Sequence, residues 1–281
     1  MIEKEKDKGY IYDNACIPEH IYTYVCGISG AEAFLSRPYI YYIREGLLIF
    51  IGYPLKEDFK PGNLKDILEK AVFKTGCNRL RVILPSYPIK GLDYRLLSSD
   101  EYYRLDVDDI TINQKNMNMV NRASRDLYIE RTRIFDVEHR HMVELFLQDK
   151  PLDEGTSWII NNMDAYIRNS DTAWIVNARD RKDRLVAFDV IDIFSRDYIF
   201  YMFNIRTKTL HVPGASDLLF YEIIKMAKDT HKKYVNLGLG INKGVMFFKK
   251  KWGGRPFLSY FLVEGEPDTK AKILSLMDKI L

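Results

Sequence analysis

The 281-residue chain balances 42 basic against 39 acidic residues, a net charge of +3, and 47% of it is hydrophobic. That is ample to bury the cores of one or two globular domains, and the near balance of charge excludes the global field of a dedicated nucleic-acid binder. Three cysteines, Cys16, Cys26 and Cys77, form neither an even disulfide framework nor a paired metal-ligand motif, as expected of buried small residues in a reducing cytoplasm.

The chain opens on MIEKEKDK, charged rather than apolar and unlike a secretory signal, and residues 1–20 read as a polar, partly loose segment. The longest uncharged, mostly apolar run, 46–55, is far short of the ~20 residues that a membrane span needs, so a soluble, cytoplasmic protein is expected. Residues 39–44 and 47–53 are β-rich and separated by Glu45-Gly46, a hairpin signal. At 63–74 the spacing becomes helical, with Leu64, Ile67, Leu68, Ala71 and Val72 on one side and Asn63 as the cap, before a strand at 79–84.

A helix at 114–125 leads into a strand at 127–132, and the stretch 113–133 holds five basic and two acidic residues, by default a solvated face. Helical stretches at 137–147 and 158–168 are broken by 151–156. Three β runs follow, 172–179, 185–194 and 198–205, divided by turn-rich segments and predicting an antiparallel meander.

The stretch that follows carries the densest signal. His211-Val-Pro-Gly-Ala-Ser-Asp217 is a tight turn running into a helix, and Gly214 and Ala215 are small enough for an anion to approach the free N–H groups of the helix start. Leu219, Phe220, Ile223, Ile224, Met226 and Ala227 then fall within one arc, with Glu222, Lys225, Lys228 and Asp229 outside it. A short strand, YVNLGLG, precedes a stretch without acidic residues, 241–263, in which Lys243, Lys249, Lys250, Lys251 and Arg255 are mixed with Phe247, Phe248 and Trp252. Residues 268–281 read as an amphipathic helix.

In the order of its parts, the stretch 198–257 resembles the core of the GNAT (Gcn5-related N-acetyltransferase) superfamily. His211, Gly214 and Ser216 keep the spacing of that family's acyl-CoA loop, Gln/Arg-x-x-Gly-x-Gly/Ala. Asn242, Val245, Lys249, Gly253 and Gly254 keep the register of its later signature. Where many members carry a proton-donating tyrosine this chain has Lys249, beside Phe248. With the Trp-Gly-Gly that follows, this resembles the amino-acid-transferring branch, the FemX-like peptidyltransferases and the C-terminal type of phosphatidylglycerol lysyltransferases.

The resemblance implies an α+β fold of two tandem GNAT-like domains, each a mixed, mostly antiparallel sheet flanked by helices. After the polar segment 1–20 these would be a degenerate copy, 21–125, and an acyltransferase copy, 126–281. In the first copy Lys60-Pro61-Gly62-Asn63 occupies the loop position but reads as a plain turn and cap. The basic stretch 113–133 resembles the Lys/Arg-rich helix before the second FemX-like domain, a place for phosphate contacts from tRNA, nucleotide or lipid.

The chemistry implied is transfer of an acyl or aminoacyl group from acyl-CoA or aminoacyl-tRNA to a small-molecule amine or amino-acid acceptor. Such transfer needs positioning, a donor at the carbonyl oxygen and removal of an ammonium proton. Coenzyme A or its acyl form would be held by Asn204, Ile205, His211, Val212, Gly214, Ala215, Ser216 and Asn242. Lys249 would face a phosphate or a developing oxyanion. Asp189 and Asp192 have opposite parities on their strand, so only one faces the cleft, and Asp192 is carried forward as the proton acceptor.

The five histidines lack zinc-like spacing and no metal is expected. Two other readings stay open: a catalytically inactive binding or scaffold protein on the same fold, and an enzyme acting on phospholipid at a membrane surface.

Overall fold

The computed structural model describes residues 2, 4–56, 58–90, 94–150 and 152–266; the helix expected at 268–281 lies outside them. In chain order the described elements are α1 (Glu5–Asn14), α2 (Tyr22–Ser29), β1 (Glu32–Ser36), β2 (Tyr39–Arg44), β3 (Leu47–Ile51), α3 (Pro61–Thr75), β4 (Arg79–Leu84), β5 (Arg95–Asp106), α4 (Gln114–Ala123) and β6 (Leu127–Thr132). There follow α5 (Val137–Asp149), α6 (Glu154–Asn161), α7 (Met163–Asn169), β7 (Ala173–Asp180), β8 (Leu185–Asp192), β9 (Tyr198–Arg206), α8 (Ala215–Asp229), β10 (Tyr234–Leu239), α9 (Lys243–Lys251) and β11 (Arg255–Gly265). The chain has an α+β fold made of two units of GNAT-like plan.

The units interleave in sequence rather than dividing at one point: the first comprises 1–8, 30–101 and the segment from 258, the second 9–29 and 102–257. In the first, β1, β2 and β3 form an antiparallel meander, α3 crosses over, β4 runs parallel to β3, and β11 pairs antiparallel with β4. Pro61 opens α3, where a missing N–H costs nothing. Gly76, at φ 62°, closes it by donating to the Val72 carbonyl. Leu64, Leu68, Ala71 and Val72 of that helix are buried with Tyr41, Phe50 and Val82, the apolar side predicted from its spacing.

The second unit repeats the plan with one more strand: β6 to β9 form the meander, α8 crosses over, β10 runs parallel to β9, and β5 pairs antiparallel with β10. All six apolar residues of the α8 arc are buried. At about 1.5–3 kcal/mol for each large side chain, they make this helix a principal anchor of the unit. Glu222, expected outside the arc, is also buried, because Arg131 of β6 and Lys225 both pair with it. Helices α5 and α7 cover the opposite face of the sheet, around Met142, Phe146, Tyr166 and Phe188.

Within the segment 1–20, expected to be polar and partly loose, residues 15–19 are tied down by hydrogen bonds. The Ala15 carbonyl accepts a hydrogen bond from Ser195 Oγ (2.7 Å), the Cys16 carbonyl accepts one from Asn236 Nδ2 (2.7 Å), and Tyr102 donates to Glu19 (2.8 Å). None of the three cysteines forms a disulfide, and burial pushes the Cys16 thiol up to about 12. No described helix is long and apolar enough to cross a membrane.

Candidate functional site

A parallel pair joined by a helical crossover ordinarily hydrogen-bonds along its whole length, but β9 and β10 pair only from Tyr198 to Phe200 with Tyr234 to Asn236. Each strand slips register where the pairing ends. On β9 the slip falls at Met202, and on β10 at Leu237, followed by Gly238 at φ 72°. Extra residues of this kind bend a strand and re-aim its side chains. The slip at Met202 lets Tyr201 and Asn204, three residues apart, line the same cavity, whereas strict alternation would set them on opposite faces.

That cavity, about 490 Å³, lies at the N-terminal end of α8 and is lined by His211, Val212, Gly214, Ala215 and Ser216 of the turn, with Asn204, Asn242 and Lys249. Gly214 caps α8 at φ 86° with no side-chain hydrogen bond. The Ala215 amide is bonded to the Val212 carbonyl (3.2 Å), and the first intrahelical bond runs from Leu218 to Gly214. By helix geometry the amides of Ser216 and Asp217 have no intrahelical acceptor, and they stand at the positive end of the dipole. Gly214 is also required by packing: a Cβ there would sit 2.5 Å from the Met119 carbonyl oxygen of α4.

Lys249 is 3% exposed. It is therefore not the solvated lysine that its basic neighbours suggest. Its ammonium lies at the end of β10, donating to the Leu239 carbonyl and standing 5.6 Å from the centre of the Tyr103 ring of β5. Asn242 spends its side-chain oxygen on the Val245 amide (3.0 Å), which starts α9 and so fixes where Lys249 emerges about two turns later.

Lys150 and Arg206 also reach the cavity; burial and the like charges of Arg206 and Lys208 hold the Lys150 ammonium below its ordinary range. The one acidic lining residue, Asp217, is matched by Lys251 (2.6 Å) and Trp252 Nε1 (3.0 Å). The lining thus carries more basic side chains, Lys150, Arg206 and Lys249, than acidic ones. The size of the cavity and this charge suit an anionic group.

Two expected site residues lie apart from this lining. Ile205 packs on the opposite face, against α5, since it alternates with Asn204. Asp192 faces that side too, accepting from the Tyr166 hydroxyl (2.5 Å) and the Phe194 amide (2.7 Å), a set of bonds that shapes the end of β8. Of the two aspartates on β8, Asp189 is the one on the cavity's side. It is fully buried, accepts from Asn204 Nδ2 (2.6 Å), and burial pushes its carboxyl up to about 8. Asn204 in turn lies 3.4 Å from Ser216 Oγ at the start of α8.

Tyr201, Lys150 and Arg206 were not among the residues expected from the sequence. Arg206 shares the parity of Asn204 and was within reach of pattern reading; Tyr201 was hidden by the extra residue at 202. Among the described residues, no cluster of three His, Cys, Asp or Glu is placed to hold a metal ion.

No family model and no curated protein sequence matches this chain. Among solved structures, L-PGS from Bacillus licheniformis superposes with a TM-score of 0.61 at 18% identity, covering 97% of this chain and 96% of that one. FemX superposes at 0.65 and 11% identity, covering 98% of both chains. The C-terminal domain of a putative lysylphosphatidylglycerol synthetase from Agrobacterium fabrum does so at 0.58 and 15%, over 90% of this chain and 88% of that one. A GCN5-related N-acetyltransferase from Kribbella flavida reaches 0.50 at 11% identity, over 87% of this chain and 95% of that one.

Proposed function

With the fold of the FemX and L-PGS structures as premise, we propose that the chain transfers an acyl or aminoacyl group from a phosphate-bearing donor to an amine. The observation that carries this reading is the parting of β9 from β10 over a cavity where an uncapped helix start and the buried cation of Lys249 converge.

Each part of the site has a separable task. The amides of Ser216 and Asp217 hold an anionic group at the tip of α8, with Lys150 and Arg206 adding charge at the same cavity. The backbone freed by the parted strands offers donors to a carbonyl oxygen, and Lys249 stands where charge develops on that oxygen or on the leaving group. Positioning supplies much of the rate in such a site, because two reactants held in line no longer pay the entropy of meeting. Coenzyme A thioesters and aminoacyl-tRNA are the two donor classes that suit it; the acceptor is an amine or amino acid, or the headgroup of a phospholipid.

Thermal melting of the purified protein separates the donors. A rise in melting temperature with millimolar coenzyme A favours the thioester. Salt-sensitive binding of charged tRNA without that rise favours the ester. Neither response, with no consumption of either donor, would defeat the proposal.

A further inference from the structure

The GNAT scheme asks for a group that moves a proton between amine and leaving atom, and α9 has lysine where a tyrosine is usual. The cavity does hold a phenol, supplied from another element. Tyr201 lines the cavity from β9, and its ring is pinned edge-on against the buried Phe220 (5.5 Å), which also carries Phe248 (5.6 Å) and Trp252 (5.2 Å). Behind it, Asp189 is wholly enclosed. Its Oδ1 is taken by Asn204, its Oδ2 has no hydrogen-bond partner, and the Tyr201 hydroxyl is close enough for the two groups to perturb one another.

Building on the transferase reading, we infer that Tyr201 is the proton-transfer residue of this cavity and Asp189 the positioning residue that decides which way its hydroxyl points. A protonated Asp189 donates to the Tyr201 oxygen and leaves the phenolic hydrogen directed into the cavity. An ionised Asp189 accepts that hydrogen and turns it away. In the productive arrangement a free amine nitrogen attacks the donor carbonyl carbon. The C–N bond forms, the C–S or C–O bond breaks with its electron pair going to the leaving atom, Tyr201 gives that atom its proton, and the proton shed by the new amide nitrogen returns to the Tyr201 oxygen. The ammonium's first proton goes to water beforehand, so charge and atoms balance.

The charged groups around the pair are few. On β9 there is Arg206; on α8 it is Asp217, already matched by Lys251; from α9 and the end of α5 Lys249 and Lys150 line the same cavity; across the sheet, β7 presents the apolar Val176 opposite Asp189. Burial therefore sets the behaviour of Asp189, whose carboxyl is raised to about 8 chiefly by desolvation. A protonated, productive state is expected below that pH and its loss above it.

Asp189→Asn separates this from a structural role, since the amide keeps an oxygen for Asn204 and permanently donates with its nitrogen. We expect Asp189→Asn to abolish the alkaline decline of kcat, and Tyr201→Phe to lower kcat about 100-fold with KM for the donor little changed. Carboxyl 13C NMR gives a readout independent of turnover: the Asp189 resonance, identified by its loss in Asp189→Asn, should titrate near pH 8, and Tyr201→Phe should move its midpoint upward. A midpoint below about 5, or one that Tyr201→Phe leaves in place, overturns the coupling. A wild-type kcat decline that survives Asp189→Asn overturns the positioning role. Lack of any response to coenzyme A or charged tRNA would instead sink the transferase reading, and with it the proton-transfer role, while the NMR result would still decide the coupling.

Discussion

In the first unit β3 and β4 are paired residue for residue from Leu47–Arg79 to Ile51–Ile83, and the Gly52 amide extends the ladder to the Ile83 carbonyl (2.7 Å). In the second the equivalent strands, β9 and β10, release each other after three pairs. The crossover helices differ in the same sense. Lys60, Pro61 and Gly62 at the start of α3 are exposed to solvent, with Pro61 consuming one of the free positions, whereas Gly214, Ala215 and Ser216 at the start of α8 line a cavity. One plan thus takes two forms: in one the ladder closes along its length, and in the other one extra residue on each strand accompanies its opening beside a cavity.

The largest effect expected from this contrast lies at Lys249, the buried cation that lines the cavity from α9. Lys249→Met keeps the volume and removes the charge. Turnover should fall about 10²–10³-fold, the range for loss of one electrostatic donor, with coenzyme A or tRNA affinity within about 3-fold. Unchanged turnover in steady-state assays would show that the opened ladder alone, without its cation, does the chemistry.

Next comes the turn. Gly214→Ala meets both a left-handed backbone and the Met119 carbonyl, so it should destabilise the protein by about 2–3 kcal/mol and disturb α4 as well. It therefore tests packing more than binding. Ser216→Asp is the cleaner probe: a carboxylate in the first turn suits the helix dipole, leaving stability within about 0.5 kcal/mol, yet repels an incoming anion. Calorimetry should register at least a 10-fold loss of coenzyme A affinity; equal affinity would move the anion away from α8.

Much of this contrast was legible in the residues, and its decisive details were not. The apolar arcs of α3 and α8, the meander 172–205 and the Gly214 turn follow from local periodicity, which needs no partner. Parity correctly divided Asp189 from Asp192, but which of them faces the cavity depends on whether α8 or α7 covers a given face of the sheet, a tertiary fact. Tyr201 escaped because a single inserted residue at Met202 inverts alternation beyond it. The anchoring of Ala15 and Cys16 within 1–20 escaped because their hydrogen-bond partners, Ser195 and Asn236, lie 180 and 220 positions away. The register of the family signature singled out Lys249 within its basic run, but its burial is a property of the fold.

The smallest expected effect closes the comparison from the other side. Gly62 has neither a positive φ nor any atom within 4 Å of where a Cβ would stand, so nothing in the first unit requires glycine there. Alanine removes freedom from the unfolded chain and favours the helix, and Gly62→Ala should stabilise the protein by about 0.5 kcal/mol, roughly 1–2 °C in melting temperature. The coenzyme A response should be untouched. If Gly62→Ala instead abolished that response while Ser216→Asp did not, the anion would belong to the start of α3, and the closed ladder rather than the opened one would be the working half of the chain.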